Sequence, residues 1–353
     1  MTIISSPNAA AMPSGLLGLL TSDSQGVQNH VTQLSQQAST GLVAQTYGGM
    51  GAAAQISLDL RPQLSAIGAY TQNISQANTQ LTATSQVLTQ LQQIASTFSS
   101  GLLSIGSGTS QEVDTLASQA SAALTQVQSL LNTQLGDKYI FAGQDSSNAP
   151  LPNSQFNAYV QSIQSTVSGL TAGNGSTIIA STLSAAMTNS PFSSTLGTAP
   201  EQVTVGPGVT TPVGIVAGQD AYVTQSGAST TGSYVRDLIR SLATIAGMNS
   251  SQTSLSPGFS AVVNDTLSNL QSEVTTINNE NGGVGAAQQN LTADQTSLTD
   301  MQTALTTQVS NVENVDAAST ATALSQAQTQ LQISYKLIAS AESMSLVSYL
   351  PTP

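Results

Sequence analysis

Few side chains in this sequence could act as an acid, a base, a nucleophile or a metal ligand. The 353 residues include one histidine, His30, and no cysteine. The missing cysteine excludes disulfides, thiol catalysis and cysteine metal sites. His30 stands beside a hydrophobic stripe that contains Val27 and Leu34, a position typical of a packed or solvated side chain rather than of a general base. The stretch GPGVTTPVG has neither the lysine nor the following helix of a phosphate-binding loop.

Carboxylates are the remaining candidates for chemistry, and they are scattered along the chain. None of them has the spacing of a calcium-binding loop. A glycosidase needs two carboxyl groups at a defined separation in space, which the order along the chain does not give. Six carboxylates fall in segments with helical spacing, where we expect solvated faces: Asp59, Glu112, Asp114, Glu273, Glu280 and Asp300. The sequence therefore predicts no catalytic, cofactor-binding or metal site, with a secreted enzyme as a distant alternative.

The composition favours long helices packed in thin layers. Charged residues make up 6% of the chain and aromatic residues 4%, whereas an average soluble protein has about 25% charged residues. The net charge of -12 excludes nucleic acid as a partner and disfavours an anionic membrane surface, since both require clustered Lys and Arg. No apolar run approaches the ~18 residues of a membrane span. The apolar stretch at 16–20 is too short for a signal-peptide core, so we expect export without a cleaved signal.

A heptad repeat in the first third of the chain predicts a long helix with one apolar seam. Apolar residues recur at every seventh position, and a second set follows three residues after each. We expect this seam to pack inside one subunit through Ile67, Ile74, Leu81, Leu88, Leu91 and Phe98. Pro62 lies just before the seam, and the first turn of a helix tolerates proline. The helix is therefore expected to begin near Pro62.

A second heptad repeat, in the last third of the chain, predicts the partner helix. Its apolar positions are Ile277, Val284, Leu291, Leu298 and Leu305, whereas the companion positions Asn281, Gln288 and Gln295 are polar. The resulting apolar stripe is narrow, which suits packing against one other helix.

Shorter apolar stripes occur at both ends of the chain. They are almost uncharged and too short to be stable as isolated helices, so we predict that they assemble subunits. The predicted assembly residues are Val27, Val31, Leu34, Leu42, Leu324, Leu331, Ile338, Leu346 and Leu350. The two ends must meet in space to complete one helical bundle.

The middle of the chain has turn signals and short strand patterns instead of long stripes. The segment DKYIFA at 137–142 predicts a short strand, and residues 202–223 alternate valine with polar residues around a Gly-Pro-Gly turn, as a β-hairpin does. The predicted fold class is mainly α. Both chain ends form a long antiparallel coiled coil or helical bundle, and a small α+β domain is inserted between them.

Both ends of the chain resemble the bacterial flagellin family. The family's first helix and the turn after it are similar to QLSQQASTGLVAQTYGGMGAAAQISLDL at 33–60, and its first long rod helix to AYTQNISQANTQLTATSQVLTQLQQIAS at 69–96. Its C-terminal rod and terminal helices are similar to GGVGAAQQNLTADQTSLTDMQTAL at 282–305 and VSNVENVDAASTATALSQAQTQLQISYKLIA at 309–339. The segment DKYIFAGQDSSNAP and the ending SLVSYL resemble the hook-associated members more than the filament members.

The resemblance implies a non-enzymatic structural subunit of the flagellum, exported unfolded through the flagellar type III channel. It implies a terminal helical assembly domain (1–45 and 313–353), a helical rod domain (46–143 and 258–312) and an outward-facing inserted domain (144–257). The implied partners are further copies of the chain, the other hook, junction and filament proteins, and an export chaperone. Residues 40–51 depart from the family, which usually carries charges there; this chain has none, so apolar and amide contacts are expected to replace them.

Two flagellar roles fit this resemblance, and two other classes of protein remain as alternatives. The motif KYIFAG and the ending SYL favour a junction subunit between hook and filament over flagellin, the bulk filament subunit. A type III translocator would need a long apolar hairpin, and the best candidate, at 177–187, is too short. A phage-tail coiled coil is the remaining alternative.

Overall fold

The computed structural model describes residues 12–105, 110–225 and 229–347, with the side chains of residues 18–341 within these ranges. Its helices are α1 (Met12–Thr40), α2 (Ala53–Ile105), α3 (Ser110–Leu131), α4 (Asn153–Ser168), α5 (Gly175–Thr188), α6 (Tyr234–Ala246), α7 (Gly258–Glu313) and α8 (Ala317–Val347). Its strands are β1 (Gln134–Leu135), β2 (Lys138–Tyr139), β3 (Glu201–Gly206) and β4 (Val209–Val213). The described residues are thus mainly helical with two small antiparallel sheets, which confirms the predicted fold class.

The chain divides into two compact units. The terminal unit comprises residues 1–66 and 300–353, and the central unit comprises residues 67–299. These two units do not test the three-domain division that the resemblance implies, which stays a prediction.

The predicted seam residues of the central unit are buried on both long helices. They are Ile67, Ile74, Leu81, Leu88, Leu91 and Phe98 on α2, and Ile277, Val284, Leu291 and Leu298 on α7. Leu305 belongs to the terminal unit and is half-buried. That these residues form one common seam remains a prediction, which their burial supports.

Polar residues beside the seam show that α2 and α7 run antiparallel. The Ser85 hydroxyl donates to Asn281 Oδ1 at 2.7 Å, and Gln288 Nε2 donates to Thr82 Oγ1 at 3.0 Å. The numbering rises on α2 as it falls on α7. The polar companion positions Asn281 and Gln288 therefore do not interrupt the helix pair but hydrogen-bond across it.

Many threonine hydroxyls of the long helices bond back to their own backbone. They donate to the carbonyl four residues earlier, which is how a threonine inside a helix satisfies its hydroxyl proton. Examples along α2 and α7 are Thr79, Thr82, Thr89, Thr97, Thr292, Thr296 and Thr307.

The expected start of α2 at Pro62 is wrong. The helix begins at Ala53, and Pro62 lies inside it. Proline has no N–H to donate to the carbonyl of Leu58, which destabilises a helix interior. Pro62 is exposed, so water can reach the carbonyl left without a helical partner. Ser57 and Arg61 on the same turns bind Glu313, which holds this part of α2 in place.

The middle of the chain contains the predicted hairpin, which ends at Val213 and does not extend to residue 223 as predicted, and three helices that the sequence did not reveal. Strands β3 and β4 pair in register with Val203 opposite Thr211, around a turn in which Gly208 has a φ of 72°. DKYIFA is a strand only at β2, which pairs with β1, and its last three residues are buried in turns. Helix α6 packs against α3 and α4, and α4 packs against α5.

Helix α6 is the most deeply buried of these three helices. Leu238, Ile239 and Leu242 are fully buried, as are the charged residues Asp237 and Arg240. The two charged residues lie in the interior, where each needs a partner.

We predict that Leu88→Ala destabilises the protein by about 2–5 kcal/mol, because Leu88 is fully buried and its removal leaves a cavity. Urea unfolding followed by circular dichroism measures the change. The matched control is Leu103→Ala on the same helix, where the leucine is 59% exposed and a change within about 0.5 kcal/mol is expected. Equal effects of the two substitutions would contradict the burial of the seam.

Candidate assembly surface

Helices α1 and α8 pack along each other in the terminal unit. Both chain ends therefore meet, as the sequence required. Burial on each helix recurs at helical spacing, with Ser24 and Leu34 on α1 and Thr320 and Ala327 on α8. The packed faces are poor in large side chains, so this pair has less apolar burial than the seam of the central unit.

The predicted assembly residues fall along this helix pair. Leu34 is buried, and the half-buried members are Val27, Val31, Leu42, Leu324, Leu331 and Ile338. Leu350 and the side chain of Leu346 lie outside the described residues. The assembly role of all nine residues stays a prediction, because partial burial within one chain leaves part of each side chain for a neighbour.

A short backbone bridge joins the end of α1 to the connection between α7 and α8. Leu42 and Asn314 form an isolated antiparallel β-bridge. The amide of Val43 donates to the carbonyl of Glu313 at 2.7 Å, and the amide of Val315 donates to the carbonyl of Gly41 at 2.9 Å. The uncharged loop after α1 is thus held by backbone and amide contacts, with Gln37 Nε2 donating to the Val43 carbonyl at 2.8 Å.

An ion pair in the terminal unit fixes the end of α7 to α2. Arg61 donates from Nε to Glu313 Oε1 at 2.8 Å and from its terminal nitrogen to Oε2 at 2.6 Å, and Ser57 donates to the same carboxylate. Arg61 is 56% exposed, whereas the Glu313 side chain is 12% exposed. The hydrogen bonds from Arg61 and Ser57 hold the pKa of the Glu313 carboxyl below its ordinary value.

Apolar residues on the outer face of α8 were missed in the sequence. Ile333 is 53% and Leu337 is 54% exposed. The two lie four residues apart and share one face. At 3.6 residues per turn, that face is roughly opposite to the one that carries Leu331 and Ile338. A helix with few charges and with apolar residues on two faces is typical of burial on more than one side. The sequence therefore contained the signal for Ile333 and Leu337.

Further exposed apolar residues occur in the terminal unit. Leu19 on α1, Ile56 and Leu58 on α2, Met301 on α7 and Tyr335 on α8 are each about half exposed or more. Single exposed apolar residues are normal, but a helical unit with many of them is typical of an interaction surface. We call Ile333, Leu337, Ile56 and Leu58 the outer apolar set.

The histidine and the potential metal ligands form no metal centre in the part of the chain that the structure describes. His30 is exposed, and no group of three His, Cys, Asp or Glu side chains that could hold a metal ion occurs among residues 12–105, 110–225 and 229–347. Within those same ranges no helix is long and apolar enough to cross a membrane. A cleft of about 490 Å³ beside β3 is lined mainly by neutral polar and apolar side chains, with Glu201 paired to Lys138. One lining carboxylate is not the pair that a glycosidase needs.

Two of the six predicted surface carboxylates are not on the surface. Asp59, Glu112, Asp114 and Asp300 are exposed as predicted. The prediction for Glu273 and Glu280 is wrong, because both are buried. An irregular segment before α6 folds over this part of α7 and covers them, and such a segment has no periodicity that the sequence would reveal.

Both ends of the chain match a known protein family. Residues 20–146 match the family described as bacterial flagellin N-terminal helical region, and residues 267–350 match bacterial flagellin C-terminal helical region. Together these regions cover more than half of the chain. No curated protein matches the sequence.

Among solved structures, the chain is similar to a Vibrio parahaemolyticus protein described as a flagellar hook-associated protein. The two share 16% sequence identity and superpose with a TM-score of 0.54. The similarity covers 74% of this chain and 97% of the other. At this identity the similarity concerns the fold.

We predict that Glu313→Gln destabilises the terminal unit by about 0.5–1.5 kcal/mol at pH 7, because it removes a charge-assisted, bidentate pair that is partly exposed. The folded-state pKa of Glu313 is lowered, so its contribution is present above the carboxyl's unfolded pKa and is lost as pH falls through the folded value. The difference between variant and wild type should therefore vanish in acid. Urea unfolding at pH 7 and in acid measures it.

The control for this prediction is Asp300→Asn, an exposed carboxylate on the same helix and in the same unit. It should change stability little at either pH. A Glu313→Gln effect that persists unchanged in acid would contradict the role of the ion pair.

Proposed function

The chain belongs to the bacterial flagellin family and is a structural subunit of the flagellum, and from that premise we propose that it joins the hook to the filament. As a flagellar subunit it acts outside the cell. We propose further that it is exported unfolded through the type III channel without a cleaved signal, helped by a chaperone. The motif KYIFAG and the ending SYL support the junction role over the filament role.

Assembly is proposed to proceed through the terminal unit. The outer apolar set supports this most directly, since Ile333 and Leu337 stay exposed although α8 already packs against α1. The predicted assembly residues such as Leu331 and Ile338 would contribute their remaining exposed surface. We therefore propose that a neighbouring subunit packs against both faces of α8.

The outer apolar set suits a repeated contact rather than a single pairwise one. Fully burying one large apolar side chain stabilises by about 1.5–3 kcal/mol. The four residues of the outer apolar set are each about half buried already, so together they would contribute roughly 3–6 kcal/mol, which the estimated 4–15 kcal/mol cost of association offsets. Several contacts per subunit in a closed ring or helical lattice would make the assembly stable.

The same surface also fits flagellin, the bulk filament subunit, which is the second candidate. Both roles need terminal helices that pack with those of neighbours, and family membership does not separate them. The proposed three-domain division applies to either role, with residues 144–257 facing outward. The location of the protein on the flagellum therefore discriminates the two.

We predict that Leu337→Asp abolishes assembly and leaves the folded monomer intact. Leu337 is 54% exposed in the single chain, so a carboxylate there stays solvated in the monomer but would be buried in the assembly. Sedimentation and negative-stain electron microscopy measure assembly, and circular dichroism measures the fold.

The matched control is Gln332→Asp, which adds the same charge at an exposed polar position of α8. It should assemble as the wild type does. Normal assembly of Leu337→Asp, or equal loss in both variants, would exclude the outer apolar set as the contact.

Immunogold labelling of intact flagella tests the junction role. An antibody against residues 144–257 should label only the neck between hook and filament. Label along the whole filament would identify the chain as flagellin and reject the junction role. Absence of label from the flagellum, with the protein present in the culture medium, would count against both.

A further inference from the structure

The terminal unit has one basic residue besides Arg61, and it is Lys336 on α8. Arg61 is paired with Glu313. Lys336 is exposed and forms no ion pair with any residue that the structure describes. A solvated lysine is ordinary by itself, so the side chains around Lys336 decide whether it belongs to a contact.

Apolar side chains lie on both sides of Lys336. Successive residues of a helix are about 100° apart, so Ile333 and Leu337 lie about 60° and 100° from Lys336 on one side. Tyr335 lies about 100° from it on the other side. All three apolar residues are about half exposed, whereas Ala327, on the opposite side of the helix, is buried. Lys336 is therefore at the centre of the outward face of α8.

The start of α2 has the same arrangement around a carboxylate. Asp59 is exposed and forms no ion pair within the described part of the chain. Ile56 lies about 60° from Asp59 on one side and Leu58 about 100° from it on the other, and both are about half exposed. Ser57, on the opposite side of the helix, is fully buried. A negative charge therefore lies at the centre of an outward apolar face, as the positive charge does on α8.

The outer apolar set is thus divided between two surfaces of opposite charge. The basic patch consists of Lys336 with Ile333, Tyr335 and Leu337, and the acidic patch consists of Asp59 with Ile56 and Leu58. The two patches are alike in size and shape, and their central charges are complementary.

Other carboxylates of the terminal unit suit Lys336 less well. Glu313 is already paired, and Asp316 accepts from two backbone amides in the first turn of α8. Asp300 is exposed beside a single large exposed apolar residue, Met301, and Asp23 is exposed one turn after Leu19. Neither Asp23 nor Asp300 has the two flanking apolar residues of Asp59 among the side chains that the structure describes.

We propose that the basic patch of one subunit packs against the acidic patch of the next, with Lys336 and Asp59 paired at the centre of the contact. This inference rests on the proposed assembly through the terminal unit and identifies the two surfaces that meet. The apolar residues around the pair exclude water from it. In such surroundings a charge without its partner is strongly disfavoured, so the pair also fixes which surfaces can meet.

The contact joins two different surfaces, so it is heterologous. Each subunit has one patch of each kind and binds one neighbour through each. Repetition of a heterologous contact generates a closed ring or a helical lattice. Two copies of the same patch would bring like charges together at the centre, which disfavours a two-fold dimer.

Reversal of the two charges tests this contact in the full chain. Lys336→Glu and Asp59→Lys each place like charges at its centre, so each should raise the protein concentration needed for assembly at least about tenfold. The double variant restores the attraction and should assemble within about threefold of the wild-type concentration. Sedimentation and negative-stain electron microscopy measure assembly. Circular dichroism should be unchanged, because both residues are exposed.

An equal mixture of the two single variants shows whether the pair forms between chains. The new carboxylate of Lys336→Glu can pair with the new ammonium group of Asp59→Lys, and the unchanged charges of the two variants can pair as in the wild type. The mixture should therefore assemble in alternating order, although neither variant does so alone. Assembly of the double variant but not of the mixture would place the pair within one chain and overturn the proposal.

Matched reversals elsewhere in the terminal unit identify the partner of Lys336. Asp300→Lys and Asp23→Lys, each combined with Lys336→Glu, should not restore assembly. Restoration by either of them would identify a different partner and exclude the acidic patch. Failure of the Asp59→Lys and Lys336→Glu double variant to assemble, with unchanged circular dichroism, would also overturn the proposed pair.

The outcomes separate this contact from the proposed function. If Leu337→Asp abolishes assembly but both charge reversals leave it unchanged, the pairing of the two patches is rejected and assembly through the terminal unit stands. If the wild-type chain remains monomeric at every concentration, the proposed assembly is rejected and this contact with it.

Discussion

The antiparallel pairing of α2 with α7 determines where the other parts of the central unit can lie. The two helices bury isoleucine, leucine and valine along their length. The irregular parts of the chain are then attached to them, since Asn73 of α2 donates to the Thr204 carbonyl of β3 at 3.0 Å and the Glu280 carboxyl of α7 accepts from the amide of Tyr222 at 3.0 Å. Glu280 is buried, so the loss of its partners would be costlier than the loss of the exposed bond from Asn73.

The two units differ in how completely they bury their apolar residues. In the central unit, α6 buries even its charged residues, and Asp237 and Arg240 are compensated by each other, by the amide of Thr231 and by the carbonyl of Ser229. In the terminal unit, α8 packs against α1 with small side chains and keeps Ile333 and Leu337 in solvent. The central unit exposes fewer large apolar side chains for its size than the terminal unit, with Leu103, Met187 and Val209 the most exposed. This contrast supports the proposed assembly through the terminal unit.

Periodicity predicted the long helices, and local turn chemistry predicted the hairpin. These features depend on residues close in sequence, so a single sequence is enough to find them. The same fold occurs in a protein of 16% identity, because the spacing of apolar residues rather than their identity encodes the helices. The burial of Glu273 and Glu280 depends on residues 222–225, about 50 residues away in sequence, and could not be predicted. Helix α6 was not predicted at all, because its burial likewise depends on distant parts of the chain. Ile333 and Leu337 could have been found, because they are apolar on an otherwise uncharged helix.

The threonine hydroxyls that bond back to their own helices have a consequence for the medium in which the protein works. These hydroxyls carry no charge, and this chain has few charges beside them. Mobile ions screen exposed charges over a Debye length of about 10 Å at 0.1 M salt, but they act little on neutral surfaces. Helix contacts made from such faces keep their strength between dilute and saline surroundings.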